Sequence, residues 1–281
     1  MANRAEGLST LFEIRRPTPR LLAWGLGAAY VLLVLFAWWF VTRGAAEERI
    51  VSPVILPSPG EVLQSIPMLV KDTPRFPGGI QRHLGISLVR VIKSCIIATI
   101  IVVPLGLVMG AYGPIRAFFE PLNIIAGYLP LIIIVPLSFV WFAPLGGDWQ
   151  KVLFLAIACF VYMLPLIVKA VDEVDEMFLN TAMTLGARGP NLLLKVLFPI
   201  ALPDIYTAIR LSFGVAWTWI LVGEGLAADP ETGGLGYVFN AAYRNDKVLM
   251  YIPAFIILVV GFLADRILAQ VGKLLFPYRY L

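Results

Sequence analysis

Side chains able to do chemistry are scarce in this sequence, and their spacing narrows what they could do. His83 is the only histidine, and without a Cys/His cluster elsewhere a zinc or haem site has almost nothing to be built from. Cys95 and Cys159 each stand inside an apolar run, the setting of small buried side chains rather than of a disulfide or a redox pair. No Gly-x-x-x-x-Gly-Lys-Ser/Thr phosphate cradle occurs, so the chain cannot use ATP itself. A membrane enzyme would need a histidine or paired-carboxylate constellation, and none is present. No catalytic residue and no metal ligand is therefore expected. Two acids remain. Glu224 and Asp265 lie near the ends of long apolar stretches, where a carboxylate either binds a coupling ion or sits at the membrane interface.

Only membrane helices can position those acids. The composition, 59% hydrophobic and 14% charged with a mean hydropathy of +0.85, is too apolar for a soluble domain of 281 residues. The net charge of +4 comes from basic residues that are scattered and flank apolar segments, as topology signals do, which argues against nucleic-acid binding. Six segments reach the roughly 20 apolar residues that a spanning helix requires: residues 21–41, 87–109, 124–142, 152–168, 209–226 and 248–268. The first is too long for a signal-peptide core and is followed only by the weak cleavage site Ala45-Ala46, so it reads as a retained anchor. In the second, Arg90 and Lys93 share a helical face from which their stems are expected to snorkel to the headgroups. In the third, Pro130 and Pro136 remove backbone donors and predict a kink or an unwound stretch, tolerated only against other helices or a watery cavity. That makes the third segment a candidate pathway wall. The basic N-terminal tail places both termini inside. The chain thus divides into an inner tail (1–20), the first helix (21–43), an outer segment (44–85), a five-helix core (86–268) and an inner tail (269–281).

Between the fourth and fifth spans, residues 171–203 build helices of their own instead of simply crossing over, which suggests docking on another protein. Asp172, Glu173, Asp175 and Glu176 suit a helix start, Gly186 frees the backbone for a sharp turn, Pro190 fits the first turn of a second short helix, and Pro199 and Pro203 are expected to end it. After the fifth span, the glycines and proline of Ala-Asp-Pro-Glu-Thr-Gly-Gly-Leu-Gly read as a turn.

The spacing Asn180-Thr181-Ala182, three residues, Gly186, nine residues, Val196-Leu197-Phe198-Pro199 resembles the EAA loop of ABC importer permeases, Glu-Ala-Ala, three residues, Gly, nine residues, Ile-x-Leu-Pro. Asn180 stands where that family has Glu, Thr181 where it has Ala, and Phe198 where it has Leu. Further stretches resemble one branch, the nitrate, taurine, alkanesulfonate and bicarbonate importer permeases: Leu56-Pro57-Ser58-Pro59-Gly60-Glu61-Val62, Ser87-Leu88-Val89-Arg90, Pro104-Leu105-Gly106, Pro136-Leu137, Trp141-Phe142, and Glu224 followed by Gly234-Leu235-Gly236. The resemblance runs in order along nearly the whole chain. Residues 228–232 lengthen the outer loop relative to that branch.

The resemblance implies an all-α, polytopic protein of six transmembrane helices with type I ABC importer permease architecture, in the cell (inner) membrane. It implies a homodimer with a second permease copy, two ATP-binding subunits that bind ATP and Mg, and an extracytoplasmic substrate-binding protein, with no cofactor in this chain. Asn180, Thr181, Ala182, Leu185, Gly186, Ala187, Arg188 and Pro199 would couple to the ATPase. The imported solute would be small and anionic. Pathway residues are expected from the third and fifth helices: Tyr128, Pro130, Pro136, Ser138, Trp217, Trp219 and Glu224, although Trp and Tyr also serve as interfacial belts and helix packing. The other reading of the residues is a secondary transporter driven by an ion gradient through Glu224 or Asp265, against which the lack of an inverted repeat counts.

Overall fold

The computed structural model describes residues 18–279 apart from Ala46, Val54, Arg75 and Ala227. Most of the N-terminal tail on which the orientation rests lies outside the described residues. The all-α, polytopic expectation is met. Among the described residues helices dominate, and the β structure is an isolated bridge between Thr73 and Phe76. Two compact units divide the chain, residues 1–64 and residues 65–281.

In the first unit, α1 (Arg20–Val41) has 22 residues, about 33 Å at 1.5 Å per residue, which is enough to cross a hydrocarbon core. It buries none of its side chains within the chain, as suits a helix facing lipid. After it, the Trp38 indole donates to Pro57 O at 2.9 Å. Ser58 and Glu61 then form a capping box at the start of α2 (Pro59–Val70). Ser58 N–H donates to Glu61 Oε2 (2.7 Å) and Glu61 N–H to Ser58 Oγ (3.3 Å). Arg49 closes on the same carboxylate with bonds of 2.8 and 3.1 Å. Those bonds, Arg49 first and the Ser58 N–H second, hold the Glu61 carboxyl down to about 2. The Ser-Pro-Gly-Glu stretch is thus a helix start, with Pro59 at the first helical position.

In the second unit, α3 (Gly79–Ala111) and α6 (Gly147–Asp172) pack along each other over most of their length. Lipid tails are as apolar as leucine, so helices associate in a membrane through close packing and hydrogen bonds. Gly106 and Gly110 supply the closeness. A Cβ at Gly106 would lie 2.6 Å from Ile167 Cγ2, and one at Gly110 would lie 2.4 Å from Val171 Cγ1. Ser94 Oγ adds a bond to Val152 O at 2.8 Å. Midway, Cys95 and Cys159 bring their sulfurs to 3.6 Å, both buried and both free thiols. Around this pair stand α4 (Gly113–Tyr128), α5 (Leu131–Trp141), α7 (Glu176–Thr184), α8 (Phe198–Leu226), α9 (Leu235–Asn245) and α10 (Lys247–Leu275).

Five helices are long and apolar enough to cross a membrane, and the bent pair α4–α5 makes a sixth span if it counts as one. The predicted third span, 124–142, is therefore no single rod. It folds by 110° at Leu129-Pro130, whereas Pro136 lies inside a continuous α5. Pro130 stands just before α5, where its missing N–H and its extended neighbour both favour a break. The second span begins at Gly79 rather than near Ser87. The fifth reaches back to the loop before it: Pro199 and Pro203 do not end the second short helix. A turn at Pro190–Leu192 runs through a π-helical stretch, Leu193–Leu197, straight into α8. In that stretch Phe198 N–H bonds to Leu193 O, five residues back. Pro199 then occupies the first turn of α8, where no intrahelical donor is required. Finally, α9 is a helix that sequence reasoning did not place, and α10 runs on to Leu275, past the expected boundary at 268.

Candidate functional site

Helices α3 and α6 run between two places where functional side chains gather. At one end lies the 171–203 segment. Arg116 of α4 holds Asp172 at the end of α6 (2.8 Å). Asp175 caps α7 by accepting from Met177 N–H at 2.8 Å, and Glu176 stands in its first turn, so the acidic run is divided between the end of α6 and the start of α7. The helix ends in a Schellman motif. Ala187 N–H bonds to Ala182 O (2.9 Å) and Gly186 N–H to Met183 O (3.0 Å). Gly186 has φ +91°, a left-handed conformation that favours glycine. Of the residues expected to couple, Asn180, Thr181, Leu185, Gly186 and Arg188 are exposed, Ala182 and Ala187 are half-buried, and Pro199 stands in the first turn of α8. Behind α7 a cavity of about 310 Å³ is lined by Tyr112, Val171, Glu176, Leu179, Leu192 and Leu193, among others.

At the other end is a buried polar cluster that sequence reasoning misread. Arg90, expected to snorkel to the headgroups, is 1% exposed. Its Nη1 donates to Glu224 Oε1 (2.6 Å) and Gly233 O (3.0 Å), its Nη2 to Thr232 O (2.7 Å) and its Nε to Asp148 Oδ1 (2.7 Å). Glu224 also accepts from Gly236 N–H (2.9 Å), and the Ser87 hydroxyl lies 2.8 and 3.0 Å from its two oxygens. His83 Nδ1 accepts from Gly234 N–H (3.0 Å) and Ser87 Oγ from Leu235 N–H (2.9 Å). Lys151, likewise buried, donates to Thr232 Oγ1 at 2.6 Å. The glycines of Gly234-Leu235-Gly236 explain themselves here. A Cβ at Gly234 would stand 2.4 Å from the Glu224 carboxyl carbon, and one at Gly236 would stand 2.5 Å from Glu224 Cβ. In a low-dielectric interior such a cluster holds only if nearly every donor and acceptor is used. Its effect is to clamp residues 232–236 and the start of α9 onto α3 and α8.

The expected pathway residues are not brought together. Tyr128 and Pro130, at the α4–α5 break, and Pro136, inside α5, are exposed. Ser138 is buried and its hydroxyl donates to Val135 O. Trp217 is buried, its indole donating to Ile257 O of α10 at 2.7 Å. Trp219 packs, half-buried, on the cluster of Ala126, Leu131, Ala158 and Val161. Glu224 belongs to the arginine cluster. Both acids that an ion-driven carrier could use are ion-paired, Glu224 with Arg90 and Asp265 with Arg210 (2.7 Å). Among the described residues no group of three or more potential ligands could hold a metal ion.

Residues 102–276 match the family model described as binding-protein-dependent transport system inner membrane component. The chain is 28% identical over 267 residues to the taurine transport system permease protein TauC of Escherichia coli K12, covering 94% of this chain and 92% of that protein. It is 31% identical over 195 residues to a putative ABC transporter permease protein of Methanocaldococcus jannaschii, covering 69% and 72%. It is 25% identical over 258 residues to the nitrate import permease protein NrtB of Synechocystis sp. PCC 6803, covering 89% and 88%. Among solved structures, an inward-facing form of the MetNI methionine ABC transporter superposes with a TM-score of 0.61 at 16% identity, over 69% of this chain and 94% of that one.

Proposed function

The chain belongs to the family of binding-protein-dependent transport system inner membrane components, and on that premise we propose that it imports a small anion of the sulfonate or nitrate class, coupled to ATP hydrolysis through residues 171–203. As a member it is the permease subunit of an ABC importer and not an enzyme. ATP and Mg belong to two partner ATP-binding subunits, a second permease copy completes the pathway, and an extracytoplasmic binding protein delivers the solute. The class of solute follows the relatives, which include taurine, aliphatic sulfonate and nitrate permeases.

The observation that carries the coupling is the continuity of the 171–203 segment with spans on both sides. Three residues separate α6 from α7, and the five residues after α7, 185–189, lead into the Pro190–Leu192 turn and the π-helical stretch that runs straight into α8. A push on α7 from a partner therefore moves the ends of two spans. Asn180, Thr181, Ala182, Leu185, Gly186, Ala187 and Arg188 receive that push, and Pro199 lies where it enters the membrane. The pathway between the two copies is lined from the exposed side of the bent α4–α5 pair by Tyr128, Pro130 and Pro136. Trp219 backs that wall by packing on Ala126 and Leu131 and Ser138 lies buried within α5, while Trp217 and Glu224 fix α8 to α10 and to Arg90 of α3 beside it.

Gly186→Val tests the coupling. A β-branched residue in the left-handed region costs about 1–2 kcal/mol. No atom lies within 4 Å of the added Cβ, so the turn distorts while the spans stay intact. Membrane insertion should be unchanged, and ATP hydrolysis by the reconstituted complex should continue without matching solute uptake. Uptake per ATP equal to that of the parent would sink the assignment.

A further inference from the structure

We infer that the partner ATP-binding subunit receives residues 177–187, α7 beyond its first residue together with its cap, in an apolar, uncharged groove, so that this part of the contact is held by side-chain burial and not by ion pairs. The inference rests on the coupling reading above and gives the chemistry of its partner. Outside the spans, α7 and its cap leave apolar side chains uncovered: Met177 (61% exposed), Phe178 (47%), Met183 (47%) and Leu185 (84%). Phe178, Thr181 and Leu185 fall at i, i+3 and i+7, the spacing of anchors that a groove reads on a helix.

The hydroxyl protons among them are already spent. Thr181 Oγ1 donates to Met177 O at 2.7 Å and Thr184 Oγ1 to Thr181 O at 2.6 Å, so these hydroxyls turn inward on their own backbone. Asn180, neutral, stands where the EAA pattern has a carboxylate. From Met177 to Ala187 there is no charged residue. A lipid surface is the other apolar environment open to such a helix, and the flanking charge argues against it. Three carboxylates precede α7 and a fourth, Glu176, opens it, and no lysine or arginine occurs between Lys169 and Arg188, whereas helices that lie on anionic membranes carry basic flanks.

The test uses the full-length permease in nanodiscs and its purified ATP-binding subunit. Raising the salt from about 0.1 M to about 1 M shortens the screening length from about 10 Å to about 3 Å. The dissociation constant should change less than about twofold, whereas a dock built on exposed ion pairs weakens by up to about fivefold for each pair. Leu185→Asp should weaken binding about thirtyfold, as for a buried anchor. Asn180→Glu should weaken it too, because the new carboxylate meets no cation. A photocrosslinker at Leu185 that captures the ATP-binding subunit, with a salt-insensitive dissociation constant, supports the inference. Capture of that subunit with fivefold salt weakening, or tighter binding by Asn180→Glu, overturns the inference and leaves the docking in place. Capture of lipid alone overturns both.

Discussion

Replacing Arg90 by alanine should be among the most damaging single changes in this chain, and the loss can be worked from its four bonded partners. Asp148 is 47% exposed, so water takes over its lost bond at little cost. Glu224 is fully buried and keeps only Ser87 and the Gly236 N–H, so its charge is left uncompensated, and breaking a buried pair in this way costs about 3–5 kcal/mol. The carbonyls of Thr232 and Gly233 lose their donors as well, for about 1 kcal/mol each at the low end. Together these give a loss of about 6 kcal/mol, which corresponds to roughly 12–24 °C in melting temperature for a unit of this size. Thermal unfolding in detergent, followed by tryptophan fluorescence, would report it. Glu224→Gln, which keeps the shape and the neighbouring bonds, should lose about half as much. The double change Arg90→Met with Glu224→Met removes both charges and leaves the Thr232 and Gly233 carbonyls, the Gly236 N–H and the Ser87 hydroxyl without these partners, neutral groups that cost less than an unpaired buried charge, so it should recover about 2 kcal/mol relative to Arg90→Met alone. A loss below about 1 kcal/mol for Arg90→Ala is what a snorkelling arginine would give. That result, or strict additivity in the double variant, would refute the assignment.

The remaining tests are smaller. Gly110→Leu drives a side chain into Val171 where a Cβ already lies 2.4 Å away, so α3 and α6 should separate, with a stability loss of about 1–3 kcal/mol read in the same melting assay; an unchanged melting temperature would contradict the packing. Trp217→Phe removes the donor to Ile257 O and should cost about 1 kcal/mol, visible as loosened hydrogen exchange in the middle of α10. The Glu61 carboxyl titrates near 2 in the folded unit against an ordinary value of 4.5. Its contribution is therefore fully present above about 4.5 and is lost as the pH falls towards about 2. Protection of the first turn of α2 should fade over that window and should lose this pH dependence in Glu61→Gln.

What the sequence made legible was local. The apolar lengths marked the spans, Gly186 marked a turn that needs a positive φ, and Pro130 marked a break, because each of these signals acts within a few residues of itself. The Arg90 cluster was hidden because its parts lie far apart in the chain: 134 residues separate Arg90 from Glu224 and 81 separate Lys151 from Thr232. Read singly, Arg90 is an interfacial cation and Glu224 an interfacial acid, and only the fold makes them partners. The turn-rich stretch from Ala228 to Gly236 was visible, but its role as the source of two carbonyls and a hydroxyl for buried cations was not. Pro199 and Pro203 misled for a different reason: a π-helical stretch just before Pro199 lets the helix pass that proline, and Pro203 sits inside α8 without ending it. The helix α9 did carry a signal, with Leu235, Val238 and Ala242 buried at i, i+3 and i+7, but it is short and follows glycines that read as loop.

The two cysteines set the terms on which this protein can be labelled. Cys159 is wholly buried and Cys95 is 7% exposed, and each sulfur faces the other inside the closest helix pair. Water-soluble maleimides should pass both by, so the natural sequence already serves as an unreactive background. A single cysteine placed at Leu185 or Glu231 would then carry a spin label or fluorophore alone, and distances could be measured on the protein without first removing its own thiols.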